Sequence, residues 1–289
     1  MFLFVYQQFR QYLQLEENKI FPIKIILKII KYLKIYFKVF SLSILFINFS
    51  AFASQENYFY EVQFGNLIVG QAEISINSSN KKIDLNSKSK TAGFLNVFYE
   101  YVGELNSSSI KKANTWIPNK FLANGIFNNK ARSSDLEWGV NNSVNYKNIP
   151  IINLKKFHPI DKESLINVID PITAFLNVIE RIRFENKCDT SFKIFDGRRR
   201  YDLKTKTLGN SFIENDRPKS YKGDVLICGL KILPLGGHRL KTKWKPIDDK
   251  FTDFKLFFGR TDSGRILPVR MNLERWFGTI TVRLLQKHF

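Results

Sequence analysis

Three histidines, two cysteines, an Asp beside three arginines and a lysine stripe are the side chains with which this chain could do chemistry. His158, His238 and His288 stand far apart, and none falls in a metal-ligand spacing, so each reads as a structural or surface imidazole. Asp196 precedes Gly197, Arg198, Arg199 and Arg200. Asp-Gly is first of all turn chemistry, because both residues tolerate the backbone angles of a tight hairpin. Arg198 and Arg200 fall on one strand face and Arg199 on the other. A sheltered arginine pair can hold a carboxylate or phosphate through two parallel hydrogen bonds. The alternative is that the pair answers acidic neighbours such as Asp202 or Asp224. Lys241, Lys243 and Lys245 share one face if Arg239–Lys245 is extended, with Trp244 opposite. Such a stripe suits an anionic surface and equally suits an edge strand that resists aggregation. Arg198, Arg200, Lys241, Lys243 and Lys245 are therefore the candidate ligand-binding residues. No catalytic residue is assigned. The chain has no Gly-x-Ser-x-Gly elbow and no phosphate-cradling loop with a lysine, and no cofactor or metal is expected.

Cys188 and Cys228 are the only cysteines. An even pair in an oxidising compartment reads as a disulfide; two buried free thiols are the alternative. The compartment follows from the N-terminal segment. Lys19, Lys24, Lys28, Lys31, Lys34 and Lys38 precede an uncharged apolar run, Val39–Phe49, and then Ala51-Phe52-Ala53. That is the layout of a secretory signal peptide, which makes the expected location the periplasm. A retained inner-membrane anchor is the alternative, although the run from 39 to 53 is short of the roughly 20 residues of a spanning helix. Taking residues 1–53 as the targeting segment leaves 54–289, 236 residues with a net charge of +14. A basic exported protein favours anionic partners, here an anionic lipid, an envelope glycan or the membrane surface, and export argues against nucleic acid. A nucleotide bias toward Lys, Asn, Ile and Phe codons would give the same charge.

Residues 54–289 read as one β-rich domain. Tyr58–Phe64, Gly65-Asn66 and Leu67–Ile76 form a hairpin pattern with period-two apolar placement. Lys82–Thr91 alternates again. Phe94–Val102 is ambiguous, and Trp116–Phe127 is a poor central strand because it holds Pro118. Leu136–Tyr146 reads as a strand broken at Gly139. The polar interval 141–161 is the best place for a hinge between two halves. Asp170 then offers an N-cap and Pro171 a first-turn residue. Ile172, Phe175, Leu176, Ile179 and Ile182 follow on one face of a helix over about 171–183, with Thr173, Asn177, Glu180, Arg181 and Arg183 on the other. Strands resume at Phe192–Phe195, Arg200–Thr207, Tyr221–Leu233, Phe251–Phe258, Thr261–Gly264, Ile266–Trp276 and Thr279–Leu285. The expected fold is mainly β: an antiparallel, strongly curved sheet or open half barrel with one short covering helix.

In their order along the chain, several pieces carry a resemblance. They are Tyr60-Glu61-Val62, Gly70-Gln71-Ala72, Asp170-Pro171 opening a helix, Cys188, Phe195-Asp196-Gly197-Arg198-Arg199-Arg200-Tyr201-Asp202-Leu203, Cys228 and Leu267-Pro268-Val269-Arg270. Over residues 58–285 the chain resembles the exported bacterial proteins grouped as domain of unknown function three-one-zero-eight. The resemblance implies a periplasmic β-rich protein and carries over no catalytic residue.

Three functions remain open at this level. A non-enzymatic envelope protein would bind an anionic or lipidic component, through its basic strand faces or in a groove lined by its aromatic residues. A hydrolase acting on cell-wall or lipid substrates would need Asp170, Asp196, His158 and His238 to converge. An envelope scaffold would expose an apolar patch.

Overall fold

In a computed structural model of the chain, the residues described are 54–93, 95–139, 141–153, 155–240, 250–275 and 278–286. Residues 1–53, where a targeting segment is expected, and Lys241, Lys243, Trp244, Lys245 and His288 lie outside them. In chain order the elements are β1 (Ser54–Phe64), β2 (Leu67–Ser78), β3 (Lys82–Thr91), a one-turn helix α1 (Leu95–Phe98), β4 (Tyr101–Lys112), β5 (Thr115–Phe127), β6 (Lys130–Trp138) and β7 (Val144–Ile149). A 3-10 turn (Glu163–Leu165) and helix α2 (Pro171–Glu185) follow. Then come β8 (Thr190–Phe195), β9 (Arg200–Ile213), β10 (Gly223–Gly236), β11 (Phe254–Arg260), β12 (Ile266–Arg275) and β13 (Gly278–Leu285).

All the strands belong to one antiparallel sheet in the order β7-β6-β5-β4-β3-β2-β1-β13-β12-β11-β10-β9-β8. Every pairing joins sequence neighbours except one: β1 lies against β13, with Tyr60 opposite Leu284 and Val62 opposite Val282. The N-terminal meander and the C-terminal meander are thus fused along their first and last strands. The sheet does not close into a barrel ladder. Its two ends meet instead through side chains: the Tyr146 ring of β7 meets the Phe195 ring of β8 edge-on, centroids 4.9 Å apart.

Helix α2 lies in the concavity. The Asp170 carboxylate caps it, accepting from the Ile172 N–H at 2.8 Å and the Thr173 N–H at 3.0 Å. Such a cap satisfies donors that the first turn leaves free. Asn186, in the left-handed region, ends it. The apolar face (Leu176, Ile179, Ile182) packs on Leu226, Leu230, Leu256, Phe258, Ile266 and Leu267, and a helix this short needs such packing to persist. Part of the opposite face is buried too. Thr173 is sealed from solvent and Glu180 nearly so, because the N-terminal meander curls over them.

Strand β5 departs from expectation. It is a 13-residue strand between β4 and β6, although it holds Pro118. The register slips at Ser108/Ser109, where Pro118 faces Ser109. A bulge is where a sheet tolerates the missing proline N–H. Thr261–Gly264, expected as a strand, is the turn between β11 and β12. The interval 141–161 supplies β7 and the isolated bridge Phe157–Arg239.

Candidate functional site

The expected pairing of the cysteines is seen as geometry: Cys188 and Cys228 have their sulfurs at bonding distance, 2.13 Å, with Cα atoms 6.2 Å apart. They fix the segment between α2 and β8 to the middle of β10.

In the Asp196 turn the guanidinium groups of Arg198 and Arg200 are engaged with protein atoms. Asp196 accepts from the N–H groups of Arg198 at 2.9 Å and Arg199 at 2.6 Å, a carboxylate folding its own turn. The Arg198 guanidinium reaches the carbonyls of Ser133 (3.1 Å), Ile149 (2.8 Å) and Pro150 (3.2 Å). Burial, and then the charge of Arg132, push its pKa down. Arg200 is buried; its Nε donates to Ser164 O at 2.9 Å and its Nη1 lies 2.7 Å from Asp202 Oδ1. These two side chains stitch β6, β7 and the 164 turn to β9.

The titratable groups singled out by type are each tied to local partners. His158 and His238 stack, centroids 4.1 Å apart, on a loop pair that exchanges the His158 N–H to His238 O and Gly237 N–H to His158 O bonds. Burial, then the His158 charge, lower the pKa of His238. Asp170 is fully buried beneath Ser107, whose Oγ lies 3.3 Å away, and Thr173; burial raises its pKa against the hydrogen bonds that lower it. Asp196 is turned into its own loop. Among the described residues no group of three or more His, Cys, Asp or Glu could hold a metal ion.

What sequence reasoning missed lies at the other end of the concavity. Where the C-terminal half of α2 crosses the β2–β3, β4–β5 and β11–β12 turns, there is a cavity of about 350 Å³. Its floor is aliphatic and aromatic: Ile76, Ile83, Trp116, Leu176, Ile179 and Leu267. Its rim is ionic, with Lys111, Arg183 and Arg265 facing Glu56 and Glu180. One oxygen of Glu180, Oε1, takes three donors: Lys111 Nζ at 2.9 Å, Arg183 Nη1 at 3.1 Å and Trp116 Nε1 at 3.2 Å. The other, Oε2, is buried without a hydrogen-bond partner among the described residues. Lys111 also sits 5.2 Å from the centre of the Trp116 ring, close enough for a cation–π contact. Across the cavity, Arg265 Nε donates to Glu56 Oε1 at 3.0 Å, and Ser263 Oγ and Tyr58 OH donate to Glu56 Oε2. Burial alone would raise the Glu56 pKa; the Arg265, Tyr58 and Ser263 hydrogen bonds and the Arg265 charge outweigh it and hold the pKa at about 2.

The two ion clusters differ. Glu56 and Arg265 cancel in charge and are tied by further hydroxyls. Glu180 faces two cations, one of which, Arg183, is half exposed. The cavity thus keeps one uncompensated positive charge, above an apolar floor, with guanidinium donors still free to meet an anion.

No curated protein matches the chain. Among solved structures, the crystal structure of a beta-barrel-like protein of domain of unknown function DUF1849 from Brucella abortus is similar, with 9% identity over 81% of this chain and 96% of that one, at a TM-score of 0.46. The family model of DUF3108, a protein of unknown function, matches residues 60–285, so the chain belongs to that family.

Proposed function

We propose that this is an exported, non-enzymatic binding protein of the cell envelope, and that the cavity beside Trp116 holds a small amphiphilic anion. The carrying observation is the pairing of an aliphatic floor with a rim of three cations against two carboxylates. Ligand sites of a few hundred Å3 are usually apolar with a few placed polar groups. The excess cation favours an anionic head group such as a carboxylate or phosphate ester, and Ile76, Ile83 and Leu267 take the attached hydrocarbon. The volume restricts the buried part to a head group and a short stretch of chain. Export is supported by the basic-then-apolar segment before Ser54 and by two cysteines placed for a crosslink, which oxidising compartments preserve.

Trp116 makes the reading measurable. Titration with decyl phosphate, followed by intrinsic tryptophan fluorescence, is expected to give a saturable change. That change should vanish in Trp116→Phe and need several-fold more ligand in Arg183→Ala. Decyltrimethylammonium is the control. No saturable change, or an equal response to the cationic amphiphile, would remove the proposal.

A further inference from the structure

At the end of the sheet opposite the cavity, the β3–β4 and β5–β6 connections carry apolar side chains outward. Relative exposure is 81% for Val97, 68% for Phe98, 53% for Tyr99, 54% for Val102, 51% for Ile126 and 42% for Phe127. Helix α1 buries none of its residues. A continuous exposed apolar patch of this kind marks an interaction surface.

The patch is built to keep its form. The Tyr99 ring stacks on Phe127 with centroids 6.2 Å apart. Thr91 Oγ1 donates to Asn96 Oδ1 at 2.7 Å and accepts from the Tyr101 N–H at 2.9 Å. Asn128 Oδ1 accepts from the Glu100 N–H at 3.0 Å. Gly93 adopts a φ of +61°, and a Cβ there would come within 2.5 Å of Ile68 O. The one-turn helix is therefore held against the β1–β2 hairpin by a residue that only glycine suits.

We infer that this end of the sheet docks on an anionic lipid surface. The occupant follows from the chemistry around the apolar tip. Lys90 lies opposite Val102 and Lys130 opposite Phe127, both lysines are exposed, and neither is in an ion pair of the described residues. Lys88 stands between Glu73 and Glu104, its partners on the two flanking strands, and Glu100 lies in the β3–β4 connection itself. Tyr and Phe side chains at a tip, with lysines behind them, match the layered polarity of a bilayer interface, where rings sit at head-group depth and ammonium groups meet lipid phosphates. Residues 54–289 carry +14 at neutral pH, so long-range attraction acts in the same sense. This inference does not depend on the cavity.

A local reporter tests it in the full chain. Val97→Cys, labelled with an environment-sensitive fluorophore, places the dye at the tip, and Lys112→Cys places it at the cavity end. The native cysteines are buried and paired, so labelling is selective. With phosphatidylglycerol-containing vesicles the dye at 97 should shift to the blue and the dye at 112 should not. Adding Phe98→Ser should raise the lipid concentration for half-maximal shift by roughly tenfold or more, from the loss of one buried ring. High salt and purely zwitterionic vesicles should each weaken the shift. No shift at 97, an equal shift at 112, or insensitivity to Phe98→Ser overturns the inference. So does a shift that grows with protein concentration without vesicles, which would assign the patch to a second copy. Loss of decyl phosphate binding leaves the outcome at residue 97 untouched, so the two proposals fail separately.

Discussion

Asn148 Nδ2 donates to the Gly197 carbonyl at 2.7 Å, and that bond links the two edges of a 13-stranded sheet that no ladder joins. Gly197 has a φ of +87°, and a Cβ there would lie 2.7 Å from Ser134 Cβ and 2.8 Å from Leu136 Cδ1. Gly197→Ala is thus expected to lose about 2 kcal/mol or more of stability, through strain and overpacking together. Arg198→Ala, which frees three carbonyls at the same seam, should cost about 1–3 kcal/mol. Urea unfolding measures both; midpoints equal to the parent protein would show that the edges do not need each other.

Asp170 separates a capping role from a charge. Asp170→Asn keeps an acceptor for the Ile172 and Thr173 N–H groups and removes a carboxylate whose pKa burial has raised. Asp170→Ala removes the acceptor. The expected order of thermal stability at neutral pH is Asn close to or above the parent, and Ala below it by about 1–2 kcal/mol. Equal loss in both variants would contradict this assignment.

Glu56 gives the acid limb a sign. Its folded pKa of about 2 lies below the ordinary 4.5. Its stabilising contribution is therefore complete above pH 4.5 and is lost as the pH falls from there through about 2. Glu56→Gln should lower stability at neutral pH and flatten the decline across that window. An unchanged acid limb in circular dichroism titrations would show that the Arg265 contact contributes nothing.

Reduction, or Cys228→Ser with Cys188→Ser, should reveal the crosslink. The two residues are 40 positions apart, and closing a loop of that size contributes roughly 3–4 kcal/mol on the chain-entropy model. The check is the unfolding midpoint with and without reductant. A parent protein that responds no more than the double variant would mean the thiols are not joined.

Much of this architecture is written locally. Asp170-Pro171 announces a helix start, and the apolar spacing from Ile172 to Ile182 sets its face. Asp196-Gly197 and Gly65-Asn66 mark turns, and period-two alternation finds most strands. The cavity is not written this way. Thr173, Asn177 and Glu180 recur at i, i+4 and i+7, a stripe that reads as a solvent face when the helix is pictured on one sheet layer. The sheet curls over that stripe as well, so Ser109, Trp116 and Lys111 meet it: Ser109 Oγ lies 2.8 Å from Thr173 Oγ1, and Asn177 Oδ1 accepts from the Trp116 N–H at 2.8 Å. These contacts span more than 60 residues, and no local pattern encodes them. A Glu and an Asn embedded among apolar helix positions are the trace that was available. Two of the resemblance-bearing pieces explain themselves once folded: Arg198 and Arg200 of the first and Arg270 of the second hold strands and loops together, the last by an ion pair of 2.9 Å with Asp216.

The union of β1 with β13 has a bearing on how the molecule is made. Of the strands described, β13 is synthesised after all the others, and until it arrives β1 has one bare flank. Each half can zip up by itself, but the keystone comes at the finish. Until that last strand docks, both meanders are open-sided sheets whose bare edges need protection from self-association.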